Sequence, residues 1–244
     1  MRVARVRTQD GIVAVAERGG SWNAIDDLFA EAPRETGARY QPEEVEFLAP
    51  VVPTVILGMA HNGSHADRAA PPQAFHKSAR SLAGPGDAIP FDEGAGRTVV
   101  EAEVGIVIGR RARHLTKENA LDAVLGYTVC NDVSAADQSP LDSFWTQTKN
   151  GKNYSPIGPW IVTDLDASSL PIELRVNGER IATASTADLA RGIREVLVYL
   201  TRWLELGPGD IVMTGCPGTM ASVVPGDRVE AEVGGIGVLA NTIS

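Results

Sequence analysis

The run Val99-Val100-Glu101-Ala102-Glu103-Val104-Gly105-Ile106-Val107-Ile108-Gly109 constrains this chain more than any other. It reads as a buried strand that opens with two carboxylates and continues as an apolar stretch entering a core. Side chains alternate along a strand, so Glu101 and Glu103 share a face. Their Cα atoms stand roughly 6.5–7 Å apart. Two flexible carboxylates at that spacing can converge on a hard cation that prefers oxygen ligands. Charges at the mouth of a buried strand are costly unless something pairs them. A divalent metal, a basic partner and open solvent are the three answers.

The chain supplies a control, because Val-Glu-Ala-Glu-Val recurs at Val229–Val233. A Glu-x-Glu on a half-exposed strand is ordinarily a solvated face. The two copies differ in the residues downstream. After the first, Tyr127-Thr128-Val129-Cys130 reads as a second strand and runs into Asn131-Asp132-Val133-Ser134. Asp132 is thus a third carboxylate at a strand end, although an Asx-turn also explains an aspartate there. No later aspartate completes a triad for the second copy. Lys149 precedes Ser155-Pro156-Ile157-Gly158-Pro159-Trp160, a turn entering another strand. It is either a surface residue or, beside a metal site, an electrophilic aid.

The 244 residues can bury a large core. A net charge of −9 speaks against nucleic acid as a partner, but not against a small anionic substrate, since a metal or a few local cations invert the local field. No apolar run is long enough to cross a bilayer, and the first residues lack the charged-then-apolar pattern of a secretory signal. Cys130 and Cys216 are not spaced as a zinc or disulfide framework. The expectation is a cytoplasmic protein with reduced thiols and no membrane or nucleic-acid partner.

Residues 1–50 read as a small α/β appendage, with a hairpin through Gln9-Asp10-Gly11 and a short helix over Trp22–Glu31. Residues 51–244 carry the candidate chemistry. His61, His65 and Asp67 lie in a stretch rich in small residues after the Thr54–Gly58 strand. That stretch is either a lid bearing a proton-transfer group or a solvated surface loop. A helix from Thr116 is expected to stop at Gly126. A long helix over Ala187–Leu206 presents Ile193, Val196, Leu197, Leu200, Trp203 and Leu204 as a core stripe. Asn177-Gly178 is the best hairpin signal in the chain. The Gly/Pro loop after Met213 lets backbone N–H groups approach an anion. Cys216 in that loop has no histidine locally paired with it, so it is not expected to be a nucleophile.

Taken together, these motifs resemble the fumarylacetoacetate hydrolase family over about Val55–Asn241. They are Glu-Ala-Glu with its apolar strand, Gly126-Tyr-Thr-Val-Cys-Asn-Asp-Val-Ser-Ala135, Lys149 before Ser-Pro-Ile-Gly-Pro-Trp, Gly209-Asp-Ile-Val-Met-Thr-Gly215, and Pro225-Gly-Asp-x-Val-Glu with the closing Asn241. The resemblance implies an α+β, mainly β fold: a mixed β-roll or sandwich catalytic domain, assembled as a homodimer or larger. It implies Mg²⁺ or Mn²⁺ on Glu101, Glu103 and Asp132. Lys149, His65 and Asp67 would be catalytic, and Lys77, Ser78, Gln147, Thr214 and Gly215 would contact substrate. The chain departs from the family pattern in three places. The lid histidine falls on Ser64 with its acid on Asp67, the arginine after Val-Ser-Ala is Ala136, and the acid three residues beyond the lysine is Lys152.

The implied substrate is a small anionic 2-oxo acid, which can chelate a metal through its carboxylate and 2-oxo oxygens. With activated water the outcome is hydrolytic C–C cleavage of an acylpyruvate. Without it, the same enolate arises by decarboxylating oxaloacetate or isomerising 2-hydroxyhepta-2,4-diene-1,7-dioate. A non-catalytic protein that binds metal and 2-oxo acid is the reading from another class.

Overall fold

A computed structural model describes residues 1–244 and is built mostly of strands. In chain order the principal elements are β1 (Arg2–Thr8), β2 (Gly11–Arg18), β3 (Ser21–Ile25), β4 (Glu35–Tyr40), β5 (Ile56–Ala60), β6 (Gln73–Lys77), β7 (Thr98–Ile108), β8 (Val124–Asn131), the single turn α1 (Thr146–Lys149), β9 (Ser155–Val162), β10 (Pro171–Val176), β11 (Glu179–Ser185), α2 (Ile193–Trp203), β12 (Ile211–Met213), β13 (Met220–Val223), β14 (Arg228–Val233) and β15 (Gly237–Ile243).

One large mixed sheet runs β4-β3-β2-β1-β9-β8-β7-β12-β5-β6, and a smaller sheet runs β11-β10-β14-β15. The first four strands are continuous with the large sheet, since β1 pairs antiparallel with β9. The long strand β7 changes partners along its length. Its first half pairs with β13 and Ser134–Ala135, its second with β8 and β12. The changeover falls at Glu101–Glu103.

Strand alternation explains why β7 is apolar nearly throughout. Its even residues Val100, Ala102, Val104, Ile106 and Ile108 enter the main core with Leu174, Val229, Ala231 and Leu239 of the small sheet. Odd-numbered Val107 enters a second core with Ile56, Cys130, Ile161 and Met213. Gly105 lets the chains close up here, because a Cβ would lie 2.3 Å from the Cys130 Sγ. Only at Glu101 and Glu103 does the odd face carry charge.

Both expected hairpins form: Thr8 pairs with Gly11, and Asn177-Gly178 turns with both φ angles positive. Three helix expectations are corrected. Trp22–Glu31 is not a helix; Ser21–Ile25 is a strand between β2 and β4, and Trp22 packs against Phe47 and Trp160. Thr116–Gly126 gives one 3-10 turn at Ala120–Ala123 before Val124 and Leu125 join β8, because strand pairing with β7 outweighs the local helical pattern. The long helix is confined to Ile193–Trp203, with Thr186–Asp188 a separate capped 3-10 turn. Val196, Leu197 and Leu200 are buried as expected, but Trp203 is 67% exposed and leaves the core stripe.

Candidate active site

The odd face of β7 forms one wall of a cavity of about 410 Å³, whose lining includes Arg97, Val99, Glu101 and Glu103. Asp132, Ser134 and Ala136, from the segment that follows β8, line the same cavity. One carboxylate oxygen from each of Glu101, Glu103 and Asp132 falls within 4.8 Å of the others. The backbone holds this approach: the Asp132 N–H donates to the Glu101 carbonyl at 2.9 Å, and the Glu101 N–H donates to the Asn131 side chain at 3.1 Å.

The Thr214–Gly215 turn lies behind the acids. Thr214 Oγ1 donates to the Val104 carbonyl, and the Gly215 N–H donates to Glu103 Oε2 at 2.7 Å. Gly215 has φ +103°, and a Cβ there would stand 2.9 Å from the Asn62 Cβ, so only glycine presents this N–H without strain.

Two ammonium groups answer three carboxylates. Lys149 Nζ donates to Asp132 Oδ2 at 2.5 Å and to Glu101 Oε2 at 3.0 Å. Lys77 is fully buried and donates to Asp132 and to the Val133 carbonyl. Burial pushes Asp132 upward, but Lys149 and Lys77 outweigh it and hold that carboxyl below the ordinary range. Burial lowers Lys77 despite Asp132. Burial also disfavours the Lys149 cation, yet Asp132 and Glu101 more than offset this and raise it. Glu101 is raised by burial against the pull of Lys149. Glu103 is 3% exposed and pairs with neither lysine. Burial first, then Asp132 and Glu101, raise it well above the usual carboxylate range.

A divalent cation fits this constellation on the residues themselves. Three carboxylates against two ammoniums leave one negative charge over, in a region where unpaired charge is costly. The donor set is all oxygen, suited to Mg²⁺ or Mn²⁺.

His61, Asn62 and Gly63 of the histidine loop line the cavity. Asn62 is buried and donates to the Thr214 and Arg191 carbonyls. The Arg191 guanidinium donates to the Ala70 and His61 carbonyls, and Arg68 pairs with Glu195 at 2.7 Å. His61 lines the cavity and meets Trp145 edge-on at 6.2 Å. Phe75 packs against Trp145 and lies under the Lys149 ammonium.

Residues 56–244 match the sequence profile of the fumarylacetoacetate (FAA) hydrolase C-terminal domain. The chain belongs to the fumarylacetoacetate hydrolase family. Residues 1–50 match a second profile, Rv2993c-like N-terminal. Protein Rv2993c of Mycobacterium tuberculosis is 32% identical, over 100% of this chain and 98% of its own length. A crystal structure of 5-carboxymethyl-2-hydroxymuconate delta-isomerase from Mycobacterium smegmatis superposes with a TM-score of 0.93 at 32% identity, covering 100% of this chain and 99% of that one. Maleylpyruvate hydrolase from Sphingobium sp. SYK-6, in complex with manganese(II) and pyruvate, superposes with a TM-score of 0.82 at 25% identity, covering 100% and 98%.

In this family member the residues singled out by sequence fall into two groups. Glu101, Glu103, Asp132 and Lys149 meet at the cavity floor, with Thr214 and Gly215 supporting them from behind. Lys77, Ser78, Gln147, His65 and Asp67 lie off the cavity. Lys77 is behind Asp132. Ser78 is exposed and donates its N–H to Asn150, and Gln147 is exposed on α1. His65 is exposed on a 3-10 turn, and Asp67 caps that turn by accepting from the Ser64 N–H at 3.0 Å. Cys216 lines the cavity, but burial, then Glu101 and Glu103, push its thiol up to about 12, so it is no thiolate at neutral pH. Arg97 and Trp145 also line the cavity. Arg97 was legible as a residue of the same parity as Glu101 and Glu103; Trp145 carries no local signal.

Proposed function

We propose that this protein is a metal-dependent enzyme that cleaves a C–C bond in a small 2-oxo acid by hydrolysis, through an enolate. The observation carrying this reading is the meeting of Glu101, Glu103 and Asp132 with Lys149 in one cavity. Glu101, Glu103 and Asp132 would hold Mg²⁺ or Mn²⁺, which when bound supplies Lewis acidity toward a chelating 2-oxo carboxylate.

The chain's own residues do the rest. Lys149 stays protonated, so it acts as a fixed positive charge where the enolate oxygen gains charge and not as a base. Lys77 and the Gly215 N–H hold Asp132 and Glu103 in place. His61, on the cavity lining, would take the proton from water. Phe75, packed edge-on against Trp145, lies against the Lys149 ammonium and gives that part of the cavity an apolar side.

One observation favours a second reading. Asp67 caps its own turn and His65 is not among the residues lining the cavity, so no imidazole–carboxylate pair stands ready to activate water. Isomerisation or decarboxylation needs the enolate but not that water. The resemblance to an isomerase along the whole chain supports this alternative. Assay of the Mn²⁺-loaded protein against an acylpyruvate, oxaloacetate and 2-hydroxyhepta-2,4-diene-1,7-dioate separates the readings. Acylpyruvate cleavage establishes hydrolysis, and turnover of only the other two establishes the alternative. Turnover of none, with metal still bound, leaves a binding protein. The proposal includes a homodimer, supported by exposed Leu141 and Phe144, which lie in the chain between cavity-lining Ser139 and Trp145. Sedimentation at monomer mass would exclude it.

A further inference from the structure

A second cavity, of about 820 Å³, lies around the N-terminus of α2 and shares no lining residue with the cavity of the three acids. Its apolar lining is Leu121, Tyr127, Leu165, Leu189 and Ile193. Tyr127 is 5% exposed, yet its hydroxyl has no hydrogen-bond partner in the protein. A buried phenol ordinarily finds one. Burial, then Asp166, raise its pKa against the pull of Arg194, so the hydroxyl keeps its proton and stands as a free donor among cavity-lining groups.

The charges around this cavity favour an anion. Lys117, Arg194, Asp166 and Glu195 line it. Glu195 pairs with Arg68 of the histidine loop at 2.7 Å and with Lys117 at 3.6 Å. With Arg68 counted, three cations face two carboxylates. Asp166 is already used in accepting the Ser168 N–H at 3.0 Å. Arg194 donates through Nη1 alone, to the Lys117 and Glu118 carbonyls, which leaves the rest of its guanidinium free. No side chain caps α2 at Gly192, and the first-turn N–H groups of a helix lack intrahelical partners and favour negative charge. The same segment carries the histidine loop. The Ala190 N–H donates to the Asn62 carbonyl at 3.3 Å, and the Arg191 N–H donates to Asn62 Oδ1 at 2.8 Å.

We propose that this cavity is an effector site for a small monocarboxylate with an apolar body, and that its occupancy steadies the histidine loop. The carboxylate meets the first turn of α2 and Lys117, the Tyr127 hydroxyl donates to the ligand, and the apolar body packs on Leu121, Leu165 and Leu189. A ligand that fixes Lys117 and the first turn of α2 also fixes Glu195, and through it Arg68. The site is separate from the proposed reaction and needs no metal.

Calorimetric titration of the full chain in chelator tests this with 3-phenylpropionate and the matched cation 3-phenylpropylamine. The carboxylate should bind about tenfold more tightly than the amine, given the helix terminus and the surplus cation. Tyr127→Phe, which removes only the hydroxyl, should weaken 3-phenylpropionate by about fivefold, and Lys117→Gln by about threefold, since that ammonium is largely exposed. Glu103→Gln should leave the affinity unchanged. In hydrogen exchange, saturating 3-phenylpropionate should slow the Asp67 and Ala70 amides, which close the turn bearing Arg68, by about threefold in wild type. Absence of binding, a preference for the amine, or an affinity that Tyr127→Phe and Lys117→Gln both leave intact overturns the site. An affinity lost in Glu103→Gln also overturns it, since the probe would then lie at the acids. Selective binding with unchanged exchange at Asp67 and Ala70 overturns the effector role. None of these outcomes bears on the metal and 2-oxo-acid reading, because no metal is present.

Discussion

Val100–Val104 and Val229–Val233 are the same five residues, and each lies within a strand, yet their glutamates meet opposite fates. In β14 the core takes Val229, Ala231 and Val233, while Glu230 and Glu232 face outward. Arginines meet them there: Arg228 with Glu230 at 2.8 Å and Arg175 with Glu232 at 2.8 Å. In β7 the valines and alanine are buried in the same core, but the glutamate face is closed over by Asp132, the Thr214–Gly215 turn and the histidine loop. Its cations are two lysines that both favour Asp132. A carboxylate pair becomes a candidate metal centre not through its own sequence but through a third carboxylate and too little positive charge around it.

The largest contrast should come from neutralising one glutamate of each pair. Glu103→Gln should weaken Mn²⁺ binding by about a hundredfold or more and abolish turnover. Glu232→Gln should change neither. The Glu103→Gln variant should also stabilise the metal-free protein near neutral pH, raising the melting temperature by about 3 °C, because it removes a buried charge set among like charges. The sign comes from linkage. Glu103 titrates above its unfolded value, so its contribution is fully present below the ordinary carboxylate range and is lost as pH rises toward the raised value. Wild type and Glu103→Gln should therefore converge at acid pH and separate as pH increases, in melts recorded with chelator. Mn²⁺ should reverse their order. A wild type more stable than the variant without metal would remove the argument that these acids await a cation.

Exchanging the cations sharpens the contrast further. Lys149→Met should lower kcat by about 10²–10³ while metal affinity is kept or increased, since the ammonium competes for Glu101 and Asp132. Arg175→Met on the other strand should leave both untouched. Above the acids, His61→Ala should reduce kcat by about a hundredfold and His65→Ala by less than twofold, if the imidazole lining the cavity is the one that moves a proton. Equal losses would show that the loop rearranges on binding.

Much of this site is legible in the sequence. Parity places Glu101 and Glu103 together, and the turn after an apolar run brings Asp132 beside them, because strand geometry is local and regular. The features that escape a sequence reading are set by distant packing. The helical pattern of Trp22–Glu31 yields to the Trp22–Phe47–Trp160 cluster, whose members are far apart in sequence. Lys77 is a substrate contact only by the resemblance, and its ammonium is buried against an aspartate 55 residues later. The resemblance favours His65, one residue from the family's histidine position; the positive φ of His61 and the capped turn beginning at Ser64 instead leave His61 on the cavity lining and His65 off it.

Ionic strength separates the two glutamate pairs by the smallest effect. The Arg228–Glu230 pair leaves the arginine 56% exposed, so water and salt already screen it. Glu230→Gln should lower the melting temperature by less than about 2 °C in dilute buffer. At molar salt, where the screening length falls to about 3 Å, that difference should vanish. The Glu103→Gln difference in metal-free protein should persist in the same salt, because ions cannot enter between buried carboxylates. A Glu103 effect that salt erases would mean the floor of the cavity is as wet as the outer face of β14. Its glutamates would then need no cation, and the two copies of the pentapeptide would differ in neighbours but not in kind.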